Sequence, residues 1–227
     1  MLWLNVEAPF AAFRTFTAGS FRPTAPFITP SAAYGLLLNL AGIEMRRDDG
    51  KSAMTLIGTD LPRLEIALGA RRVPGQHSLF QQLHNYPVGS SGKDHAPACK
   101  GSKYNIAPAR RAFLSDLRAL IGVRGDDALS ERIHDGLAGR GPKRYGLPFL
   151  GDNNFLPSRI DPLAEPLPAR WLVPLEEDDA PETDTSPMRL TIAIDRADMS
   201  RTTSRLYRMQ ATETETVPAA AWTPVGY

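Results

Sequence analysis

Leu2, Leu4 and Val6 alternate with Trp3 and Asn5, the period-two pattern of a strand. Gly19, Pro23 and Pro26 then interrupt any regular element across residues 8–26, which leaves Arg14 and Arg22 on a loop. At Thr29 the period changes. Thr29 is a suitable N-cap, Pro30 fits the first helical position where its missing N–H costs nothing, and Ala33, Leu36, Leu37 and Leu40 recur at i, i+3, i+4 and i+7. The spacing predicts a helix that ends at Gly42.

Leu64, Ile66 and Leu68 alternate again and predict a second strand over residues 63–70. From 71 to 109 the chain changes character, with Pro74, Gly75, Pro87, Gly89, Gly92, Pro97 and Gly101 set among polar residues. A structureless stretch of that length is unusual inside a domain, so it reads as a protruding, partly ordered hairpin or arm. The spacing of Phe113, Leu117, Leu120 and Ile121 does not decide between strand and helix; Gly122, with an N-cap region at Asp126 and Asp127, favours strand. Leu129, Ile133 and Leu137 predict a second helix over 128–137, and residues 169–173 predict a further strand.

This order, strand, helix, strand, strand, helix, strand, is that of an α+β, ferredoxin-like (RRM-like) βαββαβ domain with an inserted thumb at about 71–109. The domain is expected to span residues 1–175. Residues 176–227 form an acidic loop followed by a C-terminal β extension, in which 188–194 and 205–210 pair as a hairpin.

Charge changes the picture in one respect. The net charge of +1 conceals an asymmetry: residues 1–174 hold 21 Lys/Arg against 15 Asp/Glu, and the remainder holds 5 against 10. The excess gathers at Arg71 with Arg72, Lys100 with Lys103, Arg110 with Arg111, and Arg140 with Lys143 and Arg144. Such clusters serve a polyanion if they share a face, and a solvated mixed-charge surface if they do not. A hydrophobic fraction of 42% and a charged fraction of 22% are those of a folded protein.

The single cysteine, Cys99, has no internal partner for a disulfide or a Cys-type zinc site. Residues 1–13 lack a basic segment followed by an apolar one, and the uncharged run 32–43 is too short to span a bilayer, so no membrane association and a cytoplasmic location are expected.

The runs Pro9-Phe10-Ala11-Ala12-Phe13-Arg14 and Thr29-Pro30-Ser31-Ala32-Ala33-Tyr34-Gly35-Leu36-Leu37 resemble the amino-terminal signature of the CRISPR-associated Cas-five family, of the RAMP superfamily. The run from Lys143-Arg144-Tyr145-Gly146 to Asn153-Asn154-Phe155 is similar to a segment of its DevS-like, type I-B branch. The resemblance implies a non-catalytic subunit of a Cascade complex that caps the 5′ handle of CRISPR RNA. Its thumb would contact the backbone subunit, and the large subunit would dock beside it, with target DNA near the PAM as a further contact. No cofactor and no metal are expected.

A single-stranded RNA end is held by phosphate contacts and by stacking of splayed bases. Candidate RNA-binding residues are Arg14, Arg22, Ser31, Arg110, Arg111, Arg140, Lys143, Arg144, Tyr145 and Asn153. Each has a plainer role: Thr29 to Ser31 as a helix cap, Arg140 to Arg144 as a basic turn complementing a helix C-terminus, Asn153 as a turn residue, and Phe10, Phe13, Phe16 and Phe21 as packing under a loop.

The alternative is a metal-independent endoribonuclease that processes precursor RNA, which needs a general base for a 2′-hydroxyl and a proton donor for the leaving oxygen. Its candidates are His95, Lys93 and Tyr34, with His77 and His84 also on the arm. The adjacent Lys-His pair of the cutting branch is absent, since Asp94 separates Lys93 from His95. No zinc-protease helix, phosphate loop or serine elbow occurs.

Overall fold

In the computed structural model, residues 1–15, 21–51, 55–84, 106–176 and 186–227 are described. The strands, in chain order, are β1 (Leu2–Ala11), β2 (Phe21–Arg22), β3 (Arg46–Arg47), β4 (Leu56–Ile57), β5 (Leu64–Arg72), β6 (Gly75–His84), β7 (Ile106–Arg124), β8 (Arg159–Leu163), β9 (Arg170–Pro174), β10 (Met188–Ala193), β11 (Thr203–Met209) and β12 (Thr223–Val225). The helices α1 (Pro30–Leu40) and α2 (Asp127–Leu137) join them.

Among the described residues one large sheet runs β10-β11-β9-β5-β7-β1-β8, with β12 added beside β5 and with β2 and β6 beside β7. Its pairings are antiparallel apart from β2 with β7. Strands β3 and β4 form a separate two-stranded ribbon.

β1 lies between β7 and β8 and is buried on both faces, which is why Trp3 and Asn5 are as enclosed as Leu2 and Leu4. On one face the leucines pack under α1; on the other Trp3 meets Trp171 and Trp222, each with ring centroids 5.7 Å away. Thr29 caps α1 by accepting from the Ala32 N–H at 3.2 Å. That helix is apolar nearly all round because it is enclosed nearly all round, by the sheet, by α2 and by β10 and β12. Helix α2 is capped by Asp126, which accepts from Leu129 N–H at 2.8 Å, and buries only the stripe of Leu129, Ile133 and Gly136. A Cβ at Gly136 would stand 1.9 Å from the carbonyl oxygen of Leu40, so the absence of a side chain sets how closely the two helices approach.

The strands and helices expected within the described residues are present, but the loop expected over 8–26 is shorter, since 8–11 continue β1 and Arg22 lies on β2; 177–185 of the expected acidic loop are outside the described residues, and one strand is placed differently. The strand expected at 169–173 exists as β9, but it lies beside β5 and not beside β1. The free edge of β1 is taken by β8, which the hydrophobic pattern did not reveal. The expected arm divides: Arg71 and Arg72 finish β5, Gly75–His84 form β6, and β6 pairs with the first half of β7. The remainder, 85–105, is outside the described residues, together with Cys99, Lys100 and Lys103. The hairpin expected between 188–194 and 205–210 is β10 with β11.

The nineteen residues of β7 run through both hairpin and body, and the junction is Asp116, a non-glycine residue at φ 53°. Asp116 accepts from Arg72 at 2.7 Å and from Arg118 at 3.0 Å. No helix among the described residues is long and apolar enough to cross a membrane.

Candidate functional site

The loop after β1 returns to the sheet as β2, which lies parallel to β7 and sets Phe21 opposite Arg110 and Arg22 opposite Arg111. The loop is anchored at its base: Phe13 N–H donates to Thr24 Oγ1 at 2.9 Å, Ala25 N–H donates to Phe13 O at 2.7 Å, and Arg14 bridges Thr24 through the backbone. Arg14, Arg22, Arg110 and Arg111, read separately from sequence, thereby meet at one end of the sheet.

Their electrostatic states differ. Arg14 and Arg22 have no ion-pair partner among the described residues. Arg110 is exposed, and its Nε donates to Ser78 Oγ at 3.1 Å. Arg111 is enclosed, paired with Asp152 and lying 5.1 Å from the ring centroid of Phe155. Asp152 reaches it because Gly151, at φ 77°, passes so close to the chain just after β1 that a Cβ would stand 2.1 Å from Ala12 O. Asn153 follows on the same turn and is exposed.

Beside this lies an aromatic group that the sequence reading did not assemble. Phe10 meets Phe113 edge-on at 5.6 Å, and His77 stacks on Phe113 at 5.4 Å while its Nε2 shares a 2.8 Å hydrogen bond with Ser115 Oγ. Strand register alone brings them together, since His77 is opposite Phe113 and Phe10 opposite Ser115.

The second predicted group sits elsewhere on α1. Asn39, in the last turn of that helix, donates to Gly146 O at 3.0 Å, whereas Ser31 is in its first turn. Arg144 donates to Gly136 O at 2.6 Å and so caps the C-terminus of α2. Arg140 pairs with Asp135 at 2.8 Å. Lys143 is exposed and has no ion-pair partner among the described residues. Tyr145 is 75% exposed, with the Arg46 guanidinium 5.1 Å from its ring centroid. Ser31 is buried and its hydroxyl is engaged with Thr29 Oγ1 at 3.0 Å.

Other sequence-derived cations are structural. Arg71 donates to Asn5 Oδ1 at 2.9 Å and pairs with Glu7 at 3.4 Å, and Arg72 is held by Asp116. Tyr34, a candidate for proton transfer, has no exposed surface; its hydroxyl donates to Pro62 O at 2.7 Å, and burial, with Tyr227 nearby, pushes its pKa up to about 12. That withdraws it from any RNA backbone. His95 and Lys93 lie outside the described residues. Among the described residues no three His, Cys, Asp or Glu side chains are grouped to hold a metal ion.

Two solved structures share the fold. A chain described as "CRISPR RNA-guided surveillance complex" superposes with a TM-score of 0.56 at 20% identity, over 94% of this chain and 90% of that one. Another, "Crystal structure of Cas protein", gives 0.51 at 20% identity, over 96% and 97%. Comparison with curated proteins gave no match. The sequence pattern of the family CRISPR-associated protein (Cas_Cas5) matches residues 1–202, and the chain belongs to that family.

Proposed function

We propose that this chain is a non-catalytic subunit of a CRISPR RNA-guided surveillance complex of the Cascade type, and that it holds the 5′ handle of the CRISPR RNA. The family membership supports the assembly, and one observation supports the chemistry: β2 docks parallel to β7 and brings Arg14, Arg22, Arg110 and Arg111 to one end of the sheet. Phosphates need such cations unpaired or exposed, which Arg14, Arg22 and Arg110 are. Lys143 and Tyr145 extend the reading toward the far end of α1.

In this reading residues 1–175 are a ferredoxin-like RNA-binding domain, supported by the strand order β8-β1-β7-β5, in which each of the four runs antiparallel to its neighbours. The β6–β7 hairpin is the root of the thumb that meets the backbone subunit; the large subunit, and target DNA near the PAM, lie beside it. Residues 176–227 extend the body. The run from Lys143 to Phe155 places the chain in the DevS-like, type I-B branch, and its site of action is the cytoplasm. The endoribonuclease alternative is not favoured, since the buried Tyr34 is lost to it.

The test is reconstitution. The chain is co-expressed with backbone and large subunits and a repeat-containing transcript, and the purified complex is treated with a 5′ exonuclease. Guide RNA should be protected to its 5′ end only when the chain is present. Full protection in its absence would sink the proposal.

A further inference from the structure

Across β2, β7 and β6 the register places Phe21, Arg110 and Phe80 in one row, since Arg110 is the partner of Phe21 on one side and of Phe80 on the other. Directly opposed residues point to the same face of a sheet, so two phenyl rings flank one guanidinium. Adjacent strands are about 4.8 Å apart, which sets the Cα atoms of the two phenylalanines roughly 10 Å from each other. Both rings are unusually open for their type, Phe21 at 47% and Phe80 at 67% exposure. The next members of the row's face, Ala112 and Leu114, are buried, so the sheet itself holds the three side chains out at its end.

Isolated exposed apolar residues need no explanation, but two held at fixed spacing on either side of a cation form a pattern. The surroundings decide what it fits. Arg22 adjoins Phe21, Arg14 stands on the same loop, and Asp152 is occupied by Arg111, so the end of the sheet carries net positive charge. A polyanion with flat, unpaired rings matches such a surface: bases stack on the phenyl faces and the intervening phosphate meets the guanidinium. Duplex does not fit, because its base faces are already stacked.

We propose that Phe21, Arg110 and Phe80 form a dinucleotide clamp for single-stranded RNA, in which each ring stacks on one of two successive bases and Arg110 holds the phosphodiester between them. This deepens the handle-binding reading and rests on it.

The test uses the complete complex assembled on guide RNA that carries a single 5-iodouridine at successive positions of its 5′ segment, irradiated and mapped by mass spectrometry of the cross-linked peptides. Two adjacent nucleotides should cross-link, one to Phe21 and the other to Phe80. F21L and F80L keep apolar bulk but remove the ring, and each should weaken guide-RNA affinity about tenfold. Cross-links confined to other residues of this chain overturn the clamp and leave the handle reading standing. A chain that cross-links to no guide nucleotide overturns both. Unchanged RNA affinity in F21L and F80L with loss of a neighbouring subunit would identify a protein-docking surface, and would equally overturn the clamp.

Discussion

Arg111 of β7 and Asp152 of the loop after α2 form an ion pair that ties the sheet end to a segment distant in sequence, with the Phe155 ring 5.1 Å from the guanidinium carbon. The pair is mostly enclosed: Arg111 retains 12% side-chain exposure and Asp152 20%. A charge left alone in such a place is costly, while the intact pair contributes little net stability because both groups were desolvated to make it.

R111L alone should therefore destabilise by about 2 kcal/mol, less than for a fully buried pair, because Asp152 keeps some contact with water. The double variant with D152L should recover at least half. Urea unfolding of the two single variants and the double variant measures the coupling; losses that simply add in the double variant would show that the two charges do not act as a pair.

G136A places a methyl group 1.9 Å from Leu40 O, inside any tolerable contact. Alanine is the better helix former by roughly 1 kcal/mol, so propensity predicts a gain. Crowding predicts a loss of about 1–3 kcal/mol as α2 moves off α1. We expect the loss, read as a lower thermal midpoint; a higher midpoint would mean that the helices shift freely.

K143A and R144A separate a phosphate contact from a helix cap. Lys143 has no ion-pair partner among the described residues, whereas Arg144 is engaged with Gly136 O. Removing one phosphate contact reduces the slope of log affinity against log salt by roughly 0.7 for a single strand. That change is expected in K143A. R144A should lower stability with the slope unaltered, measured by guide-RNA binding from 50 to 300 mM salt (about the range in which such slopes are read). The reverse assignment would remove Lys143 from the interface.

Alkaline stability carries the signature of Tyr34. Its folded pKa is raised to about 12, while an unfolded tyrosine titrates near 10. Above about pH 10 the unfolded chain releases a proton that the folded protein keeps, so stability is full below that point and falls as pH rises toward 12. Tyr207 and Tyr227, also raised chiefly by burial, add slope of the same sign. Y34F should lose about 1 kcal/mol at pH 8 through the missing bond to Pro62 O, yet decline less steeply between pH 9.5 and 11.5. Parallel curves for the two proteins would discount Tyr34.

Helix α1 was legible because its cap, its proline and its apolar spacing agree, and the alternation in β1 and β5 was equally plain. β8 was hidden. Arg159-Ile160-Asp161-Pro162-Leu163 mixes charge and proline, which only an edge strand tolerates, and nothing local announces such a strand. The position of β9 failed for a different reason: periodicity reveals that a strand exists but not which strand it sits beside.

The site divides along the same line. That Arg14, Arg22, Arg110 and Arg111 are cations is local information, but that Arg111 is neutralised by Asp152, or Arg71 by Glu7, depends on partners far along the chain. The Phe21-Arg110-Phe80 row is a property of register, to which no single segment testifies.

The elbow at Asp116 roots the hairpin inside the body. β7 is continuous on both sides of it, its inner half pairs with β1 and β5, and Arg72 and Arg118 pair with Asp116 at the bend. The direction in which the hairpin leaves the body is therefore held by charges at its base and not by residues on its outer part.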